Sequence, residues 1–206
     1  MKVYKFGGAS VRNADGVRNL RHIVDGEDNL FIIVSAMGKT TNALERVFTH
    51  MKNVEKEAAN EEIKQIQEYH ASIIDELWGE HTDINEVTLL FGQLRNIVND
   101  IVYRPSDAEL WYDTIVSFGE LISTTIISKY LNHTGLRNRW IDMRTTFITR
   151  CTELGIPEFV IQSWVGHKIG SKVTKDSYTT HNTEIDNKYI NILNQSKLYT
   201  NCTHKK

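Results

Sequence analysis

Five apolar residues stand in a row at Leu30-Phe31-Ile32-Ile33-Val34, between Asn29 and Ser35. An unbroken apolar run of this length suits a strand covered on both faces, as in a parallel sheet. A half-exposed strand would alternate instead. A second short strand fits residues 1–6, closed by the turn pair Gly7-Gly8. Between the two, Asn13 or Asp15 stands where a helix cap belongs, and Val17, Leu20, Ile23 and Val24 recur at a helical period. After the apolar run, residues 35–41 read as a loop containing Gly38. Thr40 or Thr41 is placed to cap a helix with Leu44, Val47, Phe48 and Met51 on one face. Strand, helix, strand and helix in alternation argue for an α/β layer fold.

The next stretch is helical. Residues 55–77 place Ile63, Ile66, Tyr69, Ile73 and Leu77 on one face, and residues 84–103 do the same with Val87, Leu90, Leu94, Ile97, Val98 and Ile101. The two are expected to form an antiparallel pair that either covers the sheet or makes a homodimer face. Pro105-Ser106-Asp107 breaks the pattern. Ser117 or Gly119 is expected to open a helix over 120–132 that ends near Gly135. A short strand is expected at 138–141, then helical pieces near 147–154, 158–165, 174–178 and 184–193.

Composition bounds the setting. A chain of 206 residues with 40% apolar and 24% charged residues is long enough to bury a core unaided. No apolar run approaches the roughly 20 residues of a membrane helix. The two cysteines, Cys151 and Cys202, form no C-x-x-C pair, which points away from a thiolate metal site and towards a reducing, cytoplasmic location. The histidines, among them His22, His50, His70 and His133, show no H-E-x-x-H spacing, so no protein-held transition metal is expected. The net charge of −2 hides a shift. Residues 1–143 carry 15 Lys+Arg against 21 Asp+Glu, whereas residues 144–206 carry 9 against 5.

The first chemical candidate is the Lys5-Phe6-Gly7-Gly8-Ala9-Ser10 segment. Without Cβ atoms, two glycines after a strand allow backbone N–H groups close to an anion; the alternative is a plain tight turn. The Lys5 ammonium suits a transferring phosphoryl group and Ser10 adds a hydroxyl. The loop Ser35-Ala36-Met37-Gly38-Lys39-Thr40-Thr41 would lie beside it, at the carboxyl end of a neighbouring strand, where ligands of parallel sheets bind. A P-loop is excluded, because the first glycine of G-x-x-x-x-G-K-[ST] is replaced by Ile33.

These residues resemble aspartate kinases of the amino-acid kinase superfamily. Lys5 to Ser10 looks like the K-F-G-G-[TA]-S opening, and Val34-Ser35-Ala36-Met37 leading to Thr41-Asn42 looks like the second loop. Ser117-Phe118-Gly119-Glu120-Leu121-Ile122-Ser123-Thr124 looks like S-F-G-E-x-x-S-T, and Trp140-Ile141-Asp142-Met143-Arg144 looks like W-x-D-x-R. The resemblance implies ATP-dependent phosphorylation of the L-aspartate side-chain carboxylate. Lys5 would stabilise the phosphoryl group, with Gly7, Gly8 and Ser10 on the phosphates. Thr41 would contact the aspartate carboxylates and Glu120 its amino group, with Ser35 and Ser123 in support. Any Mg²⁺ would arrive with ATP. Taken outside the motif, Glu120 reads as a helix N-terminal carboxylate.

The tail resembles something else. Residues 144–150, Leu154-Gly155-Ile156-Pro157, Val165-Gly166-His167 and Asp176-Ser177-Tyr178 look like the end of a tyrosine recombinase (phage integrase) catalytic domain. That resemblance implies Arg144 and His167 as oxyanion stabilisers and Tyr178 as nucleophile towards DNA. The H-x-x-R histidine position holds Ile141. The expectation is thus a chimera: a partial aspartate kinase over 1–143, a partial recombinase tail over 144–193 and a polar, disordered end over 194–206. Its expected fold is α/β, a truncated amino-acid-kinase-like parallel sheet flanked by helices with a small helical C-terminal segment. Its kinase activity is expected to be weak or absent. A DNA strand-transfer remnant and a non-functional product are the alternatives.

Overall fold

The computed structural model describes residues 2–79, 82–142, 149, 151–157 and 160. It divides into two units, Met1–Trp140 and Ile141–Lys206. The first unit carries β1 (Lys2–Phe6), α1 (Ala14–Ile23), β2 (Leu30–Val34), α2 (Thr40–Lys52), α3 (Lys56–Trp78), α4 (Asn85–Asp100), a 3-10 turn (Pro105–Asp107) and α5 (Ala108–His133). In the second unit residues 151–153 are helical, and the Ile156 N–H returns to the Cys151 carbonyl at 3.0 Å. The helical pieces expected near 174–178 and 184–193, and nearly all of 158–165, lie outside the described residues.

The strands β1 and β2 pair in parallel, Lys2 opposite Leu30 through Phe6 opposite Val34. Glu27 anchors the start of the sheet. Its carboxylate accepts from Lys2 Nζ at 2.7 Å and from the Tyr4 hydroxyl at 2.9 Å. One face carries Tyr4, Phe6, Ile32 and Val34 into the core. The expectation of burial on both faces is corrected. Among the described residues the other face is open, with Val3 55% and Ile33 43% exposed.

Helix α1 begins as its sequence predicts, with the Asn13 side chain accepting from the Gly16 N–H at 2.9 Å. Helix α2 does not. Its cap is Lys39, and the Thr40 hydroxyl instead donates back to the Met37 carbonyl at 2.7 Å, closing the turn. Helices α3 and α4 are antiparallel, as expected. Lys56 bonds the Asn99 carbonyl, Asn60 bonds the Asn99 side chain at 2.8 Å, and Arg95 bonds Gln67 further along. The pair packs on α2 and α5, and α5 also reaches β2. The core runs through Leu44, Ile63, Phe91, Leu94, Ile115 and Ile122, all at most 1% exposed.

Two further expectations fail. Residues 138–141 form no strand. Asn138 is taken up instead by Ser128 and Asn132 at the end of α5. Helix α5 also starts at Ala108, well before Ser117. Pro105 opens a 3-10 turn that feeds straight into it, because proline is suited to a first helical turn. Glu120 therefore lies in mid-helix, and its reading as an N-terminal carboxylate is withdrawn.

Candidate active site

The loops that follow β1 and β2 run side by side. Past the last strand pair, the Ser35 N–H donates to the Phe6 carbonyl at 3.0 Å and the Gly38 N–H to the Gly8 carbonyl at 3.0 Å. The two contacts carry the pairing beyond the sheet and fix the second loop against the glycine pair.

Ala36 is where three distant segments meet. A Cβ on Gly8 would lie 2.3 Å from the Ala36 carbonyl oxygen, and a Cβ on Gly119 would lie 2.8 Å from the Ala36 Cβ. Neither position has room for a side chain. Gly119 sits inside α5, where glycine costs about 1 kcal/mol against alanine. The close approach of α5 to the second loop accounts for its presence. One turn further, the wholly buried Ser123 donates its hydroxyl to the Ser35 carbonyl at 3.1 Å and lies 3.2 Å from the Glu120 carbonyl.

Gly7 differs from Gly8. Nothing lies within 4 Å of where its Cβ would be, and its φ is not positive. Neither packing nor backbone conformation calls for glycine there. The residue lies exposed at the mouth of the turn, where a group approaching the backbone would meet no side chain.

The remaining candidates lie on the segments that lead into this junction. Lys5 is the exposed penultimate residue of β1, opposite Ile33, and forms no ion pair among the described residues. Ser10 is exposed. Its N–H is already committed to the Gly7 carbonyl at 2.9 Å, which leaves its hydroxyl. Ser35 has both backbone groups engaged and is half-buried. Thr41 is half-buried in the first turn of α2, and Glu120 is exposed on α5. Arg144, His167 and Tyr178 lie outside the described residues.

Two participants escaped the sequence reading. Ala36 carries no chemistry, and its role shows only in the two glycines that make room for it. In the sequence Tyr69 falls on the apolar face of its helix. Its hydroxyl bonds the Arg12 carbonyl and lies against Gly38. The one signal available was the residue type, an apolar ring with a polar tip. Partial burial holds the Tyr69 hydroxyl above its ordinary pKa, with the Arg12 charge opposing.

A cavity of about 390 Å³ lies elsewhere, between α4 and α5, lined by Leu89, Leu90, Leu121, Thr125 and Trp140 among others. It shares no residue with the junction at Ala36. Among the described residues no group of three or more His, Cys, Asp or Glu is placed to hold a metal ion, and no helix is long and apolar enough to cross a membrane.

Comparison with known proteins bears on this geometry. The model of the amino acid kinase family matches residues 1–202. That match continues through the tail that resembles a recombinase. Aspartokinase 1, chloroplastic, from Arabidopsis thaliana is 32% identical over 146 residues, which cover 68% of this chain and 25% of that protein. The aspartokinase of Chlamydia trachomatis is 30% identical over 128 residues, 62% of this chain and 27% of its own length. Aspartokinase III of E. coli, solved in complex with aspartate and ADP, superposes with a TM-score of 0.60 at 24% identity, over 71% of this chain and 32% of that one. The chain thus spans about a quarter of the length of these Arabidopsis and Chlamydia aspartokinases. With the parallel β1–β2 pair, the glycine turn and the family match extending over nearly its whole length, the chain belongs to the amino acid kinase family.

Proposed function

We propose that the junction at Ala36 is part of an aspartate-kinase site, which transfers the γ-phosphoryl group of ATP to the side-chain carboxylate of L-aspartate. In that reaction a carboxylate oxygen forms the new bond to the γ-phosphorus as the bond to the β,γ-bridging oxygen breaks, and ADP departs. Little covalent work falls to the protein. Placement and charge neutralisation supply the catalysis. Lys5 offers the positive charge, the backbone at Gly7-Gly8 and the Ser10 hydroxyl face the phosphates, and Glu120 pairs with the substrate ammonium. Thr41 and the Ser35 hydroxyl meet its carboxylates. Ser123, with its hydroxyl spent on the Ser35 carbonyl, acts by holding the loop.

The observation that carries this reading is the open space at Gly7 beside the tightly required Gly8. A turn built only for folding has no use for the first glycine, and a phosphate approached by backbone N–H groups does. The relatives' names, and the aspartate and ADP in the complex of E. coli aspartokinase III, support the choice of substrates. Mg²⁺ enters with the nucleotide, a homodimer through the helical faces is part of the same reading, and the cytoplasm suits two cysteines outside any paired motif.

Calorimetric titration with Mg·ATP and with L-aspartate, separately, tests it. Binding of ATP that is lost in Lys5→Ala, and of aspartate lost in Glu120→Ala, is the expected result. A folded sample that takes up neither ligand overturns it.

The recombinase-like tail supplies a second reading, a DNA-facing remnant, favoured by the excess of 9 Lys+Arg over 5 Asp+Glu after residue 143. It requires DNA binding that weakens steeply with salt, and no binding at low salt removes it.

A further inference from the structure

We infer that Tyr69 is a positioning residue: from α3, its hydroxyl ties the loop after β1 to the loop after β2 and sets the spacing of the two halves of the site. The inference rests on the proposed kinase site for its functional meaning. Its geometry stands without that site.

Four residues form a closed circuit. The Tyr69 hydroxyl donates to the Arg12 carbonyl, in the loop between the glycine turn and the Asn13 cap of α1. The same oxygen fills the place beside Gly38, where a Cβ would lie 2.6 Å from Tyr69 Oη and 3.3 Å from Cζ. The Arg12 Cβ is 3.7 Å from that same point. Gly38, at φ +56°, sends its N–H to the Gly8 carbonyl at 3.0 Å. Gly8 and Arg12 belong to one loop, so Gly8, Gly38, Tyr69 and Arg12 close on each other.

The position of Tyr69 is itself well determined. Its neighbour His70 is fully buried, with Nδ1 2.7 Å from the Ile66 carbonyl, and the two rings meet edge to face at 5.0 Å. Helix α3 packs along α2, the helix that leaves the second loop. A fixed helix thus bonds the first loop and packs against the second through one oxygen. Beyond Gly38 N–H to Gly8, among the described residues no other backbone bond joins residues 7–12 to residues 36–39. Glycine is required at position 38 twice over, by its φ and by the hydroxyl beside it. A phenol keeps its proton, and its donor role, at neutral pH, and partial burial pushes the Tyr69 pKa further up.

The decisive experiment compares Tyr69→Phe with the unmodified chain by amide hydrogen exchange and by Mg·ATP calorimetry. The ring and its packing remain; only the hydroxyl goes. Exchange is expected to quicken about tenfold in residues 7–12 and 35–39, the scale of one lost hydrogen bond, with α4 unchanged. Unchanged loops, or an equal rise in α4, overturn the inference. Gly38→Ala provides a second arm. Its clash is with the hydroxyl, so it must quicken loop exchange less in the Tyr69→Phe background than in the unmodified one, the φ strain being common to both. Additive effects count against the clamp. Weaker Mg·ATP binding by Tyr69→Phe supports the positioning role, and equal binding refutes it. If the unmodified chain binds no Mg·ATP, the kinase reading fails, and the clamp is then decided by exchange alone.

Discussion

Gly8 and Ala36 touch backbone to backbone: a side chain on Gly8 would begin 2.3 Å from the Ala36 carbonyl oxygen. Two loops separated by almost thirty residues of sequence are thereby seated on one another. The same alanine stands against Gly119 of α5, so one small residue sets the distance between three of the four segments that resemble the kinase motifs.

The two glycines of the turn should therefore respond differently to alanine. Gly8→Ala forces backbone against backbone and is expected to cost about 1–3 kcal/mol, or more where the loop cannot yield. Gly7→Ala is expected to leave the melting temperature within a degree or two and to weaken Mg·ATP binding at least tenfold. Thermal unfolding and calorimetry on the pair check this. An intact affinity in Gly7→Ala removes the main support for a phosphate at the turn.

Within α5, Gly119→Ala sets two effects against each other. Helix propensity favours alanine by about 1 kcal/mol. The new Cβ, 2.8 Å from that of Ala36 and 3.3 Å from Leu44 Cδ1, pushes α5 off the second loop. The clash is expected to win, with net destabilisation of about 1–2 kcal/mol. Chemical denaturation measures it, and a stabilised variant would show that α5 and the loop can part freely.

His70 makes stability depend on pH. It is fully buried, and burial lowers its pKa from 6.5 to about 4 despite the Ile66 carbonyl, which favours the charged form. With Nδ1–H donating to that carbonyl, Nε2 finds no hydrogen-bond partner among the described residues; the residue borders a cavity of about 80 Å³ lined also by Gln67, Asp83, Thr88 and Phe91. The unfolded chain takes up a proton near pH 6.5 and the fold resists until about 4. This contribution is complete above pH 6.5, is lost as pH falls from 6.5 to 4, and is flat below. The loss is on the order of 3 kcal/mol. Unfolding of His70→Leu across this range should lack that slope; a slope that persists assigns it to other groups.

Val54 offers a stabilising change. Helix α2 ends with the Glu55 N–H on the His50 carbonyl at 2.9 Å and the Val54 N–H on Met51 at 3.1 Å, which places Val54 at φ +62°. Helix α5 ends in the same way with Gly135 at that position, φ +85°. A β-branched residue there is strained, and Val54 is 72% exposed, so little packing is lost on its removal. Val54→Gly is expected to stabilise the protein by about 1 kcal/mol, readable as a rise in melting temperature.

Much of the framework was legible from the chain. Asn13 capped α1 because a cap acts within three residues. Leu30–Val34 formed a parallel strand because its apolar run admits few alternatives, and the α3–α4 pair followed its own periodicity. The cap and the helical periods are local effects, carried by neighbours along the backbone, whereas the pairing of β1 with β2 and of α3 with α4 joins residues far apart in sequence. The resemblance to aspartate kinases was legible on similar grounds, as motifs in order. What the tertiary structure decided was which segments meet. Gly119 looked like the start of a helix, and it lies in the middle of one, where Ala36 leaves no room for a Cβ. Gly7 and Gly8 looked equivalent, and only the carbonyl above Gly8 tells them apart. Tyr69 looked like one more apolar position until its hydroxyl met Arg12 and Gly38. Each of these depends on excluded volume or a hydrogen bond between residues far apart in sequence, and such contacts exist only once the chain has folded.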